Sequence, residues 1–264
     1  MKLRVVVDGP RDPRMNMAID EAILRVGAAP TLRIYMWLPG GLTLGRRQSV
    51  EDVNLAEAEK RGYILVRRPT GGAALLHPWE REITYSLVLD SRHPYYSLDV
   101  AESAATIAGG VALALEELGI ATRVGGYTPL PGVIGGLCYV RPGSSDVVVA
   151  GRKVSGSAQR RIGGRLLQHG TLLLRFDPEE WLSIIPVKGA GPGDLASRIA
   201  GIEDLAGRSY SFSEVADALV KGFSKALGLE PEPSGLEGRE VEEALRLYRK
   251  KYSSPRWNLE GDEP

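Results

Sequence analysis

Three consecutive strand-like segments joined by glycines constrain the fold of this chain more than any other feature. Residues 146–150, 152–159 and 165–175 have strand character, and Gly151 and the pair Gly163-Gly164 fall where tight hairpin turns belong. Further strands are expected at 3–7, 32–37, 41–45, 63–66 and 82–89, interleaved with helices at 16–26, 54–62 and 98–118. Asn16, Asn54 and Ser97 are the candidate N-caps. Beyond Pro178 the pattern is mostly helical, at 213–227 and 239–252. Consecutive hairpins mixed with helices predict an α+β fold: a mixed, largely antiparallel β-sheet flanked by helices, not a doubly wound parallel sheet. The 264 residues fit one domain, 1–264, with 201–264 as a mostly helical portion of it.

Residues 122–140 break this rhythm. They are rich in glycine and proline and have little periodicity, which predicts a long loop over a functional surface. Near the loop's end stands Cys138, the chain's one cysteine. It leaves no internal disulfide framework and no cysteine-rich metal site. Three histidines, His77, His93 and His169, lack zinc-site spacing, so no metal is expected. With 33 basic against 33 acidic residues, the bulk charge of a nucleic-acid binder is absent. The longest apolar runs are too short to span a bilayer, and no secretory leader opens the chain. The expected setting is cytoplasmic, with neither nucleic acid nor membrane as partner.

Two segments carry candidate chemistry beside Cys138. In Arg67-Arg68-Pro69-Thr70-Gly71-Gly72-Ala73-Ala74-Leu75-Leu76-His77, paired glycines let backbone N–H groups approach an anion, and the arginines add positive charge. A plain glycine turn with surface arginines explains the same residues. It is neither a Walker loop nor G-x-G-x-x-G. In Gly151-Arg152-Lys153-Val154-Ser155-Gly156-Ser157-Ala158-Gln159, alternation places Lys153, Ser155 and Ser157 on one face. A lysine turned inward there needs a carbonyl or phosphate oxygen, whereas most lysines in hairpins are simply exposed. A cation such as Lys153 near Cys138 would lower the thiol's pKa. An inert buried thiol is the commoner fate of a lone cysteine. His77 or His169 could serve as its base, or both could be structural.

Taken together, Arg67–His77 followed by Ile83-Thr84-Tyr85-Ser86, the Gly151–Gln159 segment and Leu167-Gln168-His169-Gly170 resemble the biotin/lipoate protein ligase catalytic fold. Asn16-Met17-Ala18-Ile19-Asp20-Glu21-Ala22 and Lys251-Tyr252-Ser253-Ser254-Pro255-Arg256-Trp257-Asn258 are similar to its lipoate branch. The resemblance spans nearly the whole chain. It implies attachment of an octanoyl or lipoyl group to a lysine of a lipoyl carrier domain. Such carriers are the lipoyl domains of 2-oxoacid dehydrogenase E2 subunits and the glycine-cleavage H protein.

Two chemistries compete within that branch. Cysteine-dependent octanoyltransferases take octanoate from octanoyl-acyl carrier protein as an enzyme thioester and need no cofactor. Lipoate–protein ligases use free lipoate with ATP and Mg²⁺, some with a separate accessory subunit. The placement of Cys138 fifteen residues before Lys153 resembles the transferase, as do Arg-Arg-Pro-Thr-Gly-Gly and Gly-Ser-Ala-Gln, and the chain leaves no room for the ligases' accessory C-terminal domain. It departs from the family pattern at Ala73, where glycine or arginine is typical, and at Pro78, where an acidic residue is usual.

The transferase is the preferred reading. By this resemblance Cys138 is the nucleophile and Lys153 stabilises the oxyanion. Gly71, Gly72, Ala73, Ala74, Leu75, Leu76 and His77 with Gly156, Ser157 and Ala158 form the acyl or nucleotide site, and Arg67 and Arg68 face phosphate or an acidic partner. His169 is a further candidate. A non-catalytic acyl- or biotin-binding regulator would carry an N-terminal helix-turn-helix, whereas this chain begins almost directly with the catalytic pattern.

Overall fold

The computed structural model describes residues 2–129 and 134–263. In chain order it runs β1 (Lys2–Val7), α1 (Pro13–Val26), β2 (Thr31–Tyr35), β3 (Gly41–Leu44), α2 (Leu55–Lys60), β4 (Ile64–Arg67), β5 (Leu75–His77) and β6 (Glu82–Asp90). Next come α3 (Pro94–Ser97), α4 (Val100–Glu117), β7 (Arg123–Val124), β8 (Ile134–Gly135), β9 (Val147–Val149), β10 (Arg152–Ile162) and β11 (Arg165–Leu173). The remainder is α5 (Pro178–Ile184), β12 (Val187–Lys188), α6 (Pro192–Ala196), α7 (Ile202–Ala206), α8 (Phe212–Leu227), β13 (Glu230–Pro233) and α9 (Gly238–Leu247).

Eight strands form the main sheet in the order β13-β1-β2-β6-β11-β10-β9-β7. β1 runs parallel to both its neighbours, and the other pairs are antiparallel. The class expected from the sequence is therefore the class found. Ala150 and Gly151 have φ of 47° and 79°, and Gly163 and Gly164 of 54° and 75°. Positive φ at both central residues is the two-residue turn that matches strand twist, so both hairpins close where the glycines stand.

Alternation splits the strands between two cores. Leu32, Ile34, Leu87, Leu89 and Leu166 face α4 and α8, packing with Val111, Leu115, Leu219 and Phe223. Tyr35, Trp37, Val88 and Leu167 face the other way, onto α1, Leu247 and Trp257. α4 and α8 cross closely at two glycines: a Cβ on Gly222 would lie 2.2 Å from the Gly110 carbonyl oxygen. A smaller three-stranded sheet, β4-β3-β5, carries a third cluster with Trp181, Leu137 and Tyr139.

Three local expectations need correction. Asp12, not Asn16, caps α1, its carboxylate accepting from the Arg14 and Met15 amides. Asn16 lies inside the helix, where its side chain bonds to Arg33 and to the Met36 carbonyl. Asp99, not Ser97, caps α4, because Pro94–Ser97 forms a separate turn of helix. The expected loop 122–140 is tied down by short pairings: β7 with β9, β8 with β12, and a bridge between Leu137 and Ala74. Residues 130–133 of that segment lie outside the described residues. Asn54 caps α2 as expected.

Candidate active site

Cys138 opens a single 3₁₀ turn, Cys138–Val140. Its amide donates to the Ala74 carbonyl at 2.9 Å, and the Ala74 amide donates to the Gly136 carbonyl at 2.6 Å. The cysteine turn is thus stitched to the segment that begins at Arg67. The thiol is half-buried.

Lys153 enters the same place from β10, and a bulge decides how. Lys153 pairs with Val148 and Ser155 with Val147, which leaves Val154 without an opposite residue. An extra residue reverses the face of everything beyond it. Ser155 consequently faces the α4/α8 core with Val147 and Leu172, and Ser157 accepts from Gln168, which also donates to the Ala104 carbonyl of α4. Lys153 instead shares its face with Gly156, where an added Cβ would lie 3.1 Å from the lysine Cε. The alternation expected for Lys153, Ser155 and Ser157 does not hold.

The lysine is 2% exposed, so its ammonium requires partners. Nζ lies 2.7 Å from Asp146 Oδ1 and donates to the carbonyls of Arg141 (3.2 Å) and Cys138 (3.5 Å). Burial raises the Asp146 carboxyl above its ordinary value even though Lys153 and the Gly143 amide favour its charge. Lys153 therefore grips both ends of the cysteine turn. Asp146 is a site residue that the sequence reading missed; its only signal was a carboxylate in the strand that precedes the lysine.

Behind Cys138 is a narrow slot, a cavity of about 30 Å³. Met17, Tyr35, Trp37, Leu75 and Tyr139 supply its apolar wall, and Arg68, His77, Thr84, Gly156, Ser157, Ala158, His169, Gly170 and Thr171 complete it. Of the expected site residues, Ala74 and Leu76 are wholly buried and pack instead in the small-sheet core.

Two histidine–carboxylate contacts line this slot, and neither histidine is a free base. His169 Nδ1 is 3.1 Å from Asp20 Oδ2, and Nε2 is 2.6 Å from Thr70 Oγ1. Asp20 also takes bonds from Arg33, Tyr35 and Ser86. Burial pushes the Asp20 carboxyl up, but the His169 bond and the Arg33 charge outweigh it and hold it below the ordinary value. His77 Nδ1 is 3.2 Å from Glu82 Oε1, Nε2 is 3.0 Å from Thr43 Oγ1, and the ring stacks on Trp37. Here burial wins. It drives His77 well below and Glu82 well above their usual values, so this contact joins two neutral groups.

The paired arginines are not where the sequence reading put them. Arg67 is 1% exposed and holds main-chain carbonyls of Gly45, Gln48, Trp257 and Leu259. Arg68 holds Thr43 and the carbonyls of Gly71 and Ala73. Neither faces a partner surface, because loop carbonyls occupy their donors. Burial lowers the Arg68 pKa to about 10, so it stays cationic in the slot wall that it shares with Cys138.

The cations nearer the surface are others. Arg46, Arg47, Arg141 and Arg160 line an open groove of about 710 Å³ with Asp52, Gly71, Gly72, Ala73 and Gln159; Arg47 and Arg141 are exposed, and Arg46 and Arg160 half-buried. Slot and groove abut, since Cys138 and Ala158 line the first while Arg141 and Gln159 line the second.

The fold thus sets a half-buried thiol turn between a narrow, largely apolar slot and a basic groove, on a mixed sheet. The chain matches the lipoyl protein ligase A/B catalytic domain over residues 12–224, and it belongs to that family. It is thereby one of the enzymes that attach lipoyl or octanoyl groups to protein. It is 34% identical to octanoyltransferase LipM of Brevibacillus brevis, covering 97% of this chain and 98% of that one. With octanoyltransferase LipM of Kyrpidia tusciae the identity is 36%, over 97% of each. Among solved structures, a lipoate-protein ligase A bound with ATP superposes with a TM-score of 0.82 at 28% identity, covering 98% of this chain and 99% of that one. A bi-partite lipoate protein ligase from Thermoplasma acidophilum, studied with its E2 lipoyl domain, gives 0.81 at 27%, covering 100% and 97%.

Proposed function

We propose that this protein is an octanoyltransferase that works through a thioester at Cys138. The observation that carries the reading is the cysteine turn itself: a lone thiol on the wall of a narrow, largely apolar slot, fixed by Lys153 and near the buried charge of Arg68. The thiolate attacks the octanoyl carbonyl of octanoyl-acyl carrier protein. The new C–S bond forms, the bond to the carrier sulfur breaks, and that sulfur leaves as a thiolate, which takes up the proton that Cys138 gave up. The ε-amine of one lysine on a lipoyl domain, of a 2-oxoacid dehydrogenase E2 or the glycine-cleavage H protein, then attacks the enzyme thioester. An amide forms and Cys138 is released.

Lys153 supplies fixed positive charge next to the carbonyl oxygen that becomes negative in both steps. The acyl group arrives already activated, so neither ATP nor Mg²⁺ takes part. Residues 1–264 act as one catalytic domain in the cytoplasm, and the mostly helical 201–264 portion supplies α8 to one face of the main sheet, α9 and Trp257 to the other, and β13 to its edge. Incubation with octanoyl-acyl carrier protein is expected to add one octanoyl mass to the enzyme, and Cys138→Ser to abolish both adduct and transfer. Full transfer by Cys138→Ser would sink the thioester route. Lipoate-dependent pyrophosphate release would put the ATP-dependent ligase in its place.

A further inference from the structure

One carboxylate beside the basic groove, paired with two of the arginines that line it, has no part in the chemistry above. Glu263 Oε1 lies 3.1 Å from Arg46 Nη2, 3.4 Å from Lys251 Nζ and 3.7 Å from Arg160 Nη2. These cations come from three distant parts of the chain: the turn after β3, the π-helical turn Tyr248–Tyr252, and β10. All three reach the same oxygen. A single carboxylate oxygen is a poor match for three converging cations, whereas a phosphate offers several oxygens in different directions.

Burial is uneven across the cluster. The side chain of Lys251 is 5% exposed and that of Arg160 15%, while Glu263 is 45% exposed. Lys251 is balanced by the buried Glu21 at 3.0 Å. Among the described residues, Glu263 is the carboxylate paired with Arg46 and Arg160. The cations are built into the fold, and the anion rests on them from outside. Such exposed pairs contribute little and are readily exchanged. Burial tends to raise the Glu263 carboxyl, but Lys251 and Arg46 hold it below its ordinary value, so it is charged at neutral pH.

We infer that Arg46, Arg160 and Lys251 form a phosphate subsite for the phosphopantetheine arm of the acyl donor, and that Glu263 occupies it until the donor displaces it. This rests on the octanoyl-transfer reading. The groove abuts the slot, so an arm whose thioester reaches Cys138 can lay its phosphate among the arginines. The same nest would suit the phosphate of an acyl adenylate, and the donor decides between the two.

The test compares the wild type with Glu263→Gln and Arg160→Gln on four donors: octanoyl-acyl carrier protein, octanoyl-phosphopantetheine, octanoyl-pantetheine (which has no phosphate), and ATP with lipoate. With the carrier protein, Glu263→Gln is expected to lower KM about two- to fivefold, the scale of one exposed ion pair. Arg160→Gln is expected to raise it about tenfold, the scale of one charge-assisted contact. Both effects should persist with octanoyl-phosphopantetheine and disappear with octanoyl-pantetheine. Equal responses with octanoyl-pantetheine, or no response with the carrier protein, would overturn the subsite while leaving the Cys138 adduct intact. Responses seen only in pyrophosphate release from ATP and lipoate would assign the nest to an adenylate, and the octanoyl reading would fall with it.

Discussion

The slot and the groove meet at the Cys138 turn and treat charge in opposite ways. In the slot every histidine and carboxylate has a side-chain partner, and burial decides which pairs stay ionised: Asp20 does, with Arg33 beside it, and Glu82 does not. In the groove Arg47 and Arg141 are exposed, and the half-buried Arg46 and Arg160 are met by a half-exposed carboxylate. A sealed polar network fixes geometry, because leaving any member unpaired is costly. An open cationic surface gives attraction and exchange instead. Slot residues are therefore expected to govern stability and turnover, and groove residues the capture of the donor.

The sharpest way to break this contrast is to unpair Asp20. Asp20→Asn leaves Arg33 buried with less compensation, and about 3–5 kcal/mol of stability should be lost in denaturant unfolding at neutral pH. The sign with pH follows from the lowered carboxyl. Its contribution is fully present above the ordinary aspartate value and disappears as the pH falls through the lower folded one. The gap between wild type and Asp20→Asn should thus narrow in acid. Equal stability at neutral pH would show that the slot network does not hold the fold.

At the junction, Lys153→Ala is expected to cost transfer roughly two orders of magnitude, about 3 kcal/mol, with the fold retained. Lys153→Arg should not restore it, since the wider planar guanidinium cannot occupy the ammonium's place between Asp146 and the two carbonyls. Near-normal turnover of Lys153→Ala, measured on an apo lipoyl domain, would reduce this lysine to a structural clamp.

For the groove, raising the salt from about 20 to 200 mM should increase KM for octanoyl-acyl carrier protein severalfold and leave transfer from octanoyl-pantetheine nearly flat, because exposed charges are screened and the slot is not. A flat response to salt with the carrier protein would remove the distinction between the two regions.

The smallest effect is expected at Glu82. The folded state keeps this carboxyl protonated, so its contribution declines as the pH rises above the ordinary glutamate range. Glu82→Gln, which copies the neutral acid, should change Tm little near the ordinary glutamate value and gain on the wild type as the pH rises. A loss of several kcal/mol at neutral pH would instead mean that Glu82 is ionised beside His77.

Much of the scaffold was legible in the sequence. Hairpin glycines at 151 and 163–164, alternation in β6 and β11, and the Asn54 cap are local signals, and local backbone preference was enough to satisfy them. Cys138 and Lys153 are singled out by the resemblance to the lipoate branch, since residue type alone favours an inert thiol and an exposed lysine. The facing of Lys153 was not legible, because one unpaired residue at Val154 reverses the alternation and nothing in the residue types marks it. Arg67 and Arg68 looked like surface cations. Their role as buried holders of loop carbonyls depends on segments as far away as Trp257 and Leu259.

The sequence by itself determined the fold class and the hairpins, since these rest on periodicity and turn chemistry, while family resemblance pointed to Cys138 and Lys153. The tertiary structure alone decided which charges survive burial and which cations remain open. Those outcomes depend on distances between groups far apart in the chain: Asp20 with His169, Asp146 with Lys153, and Glu263 with Arg46, Arg160 and Lys251. Electrostatic energy depends on separation in space and on local exposure, and a linear order of residues specifies neither.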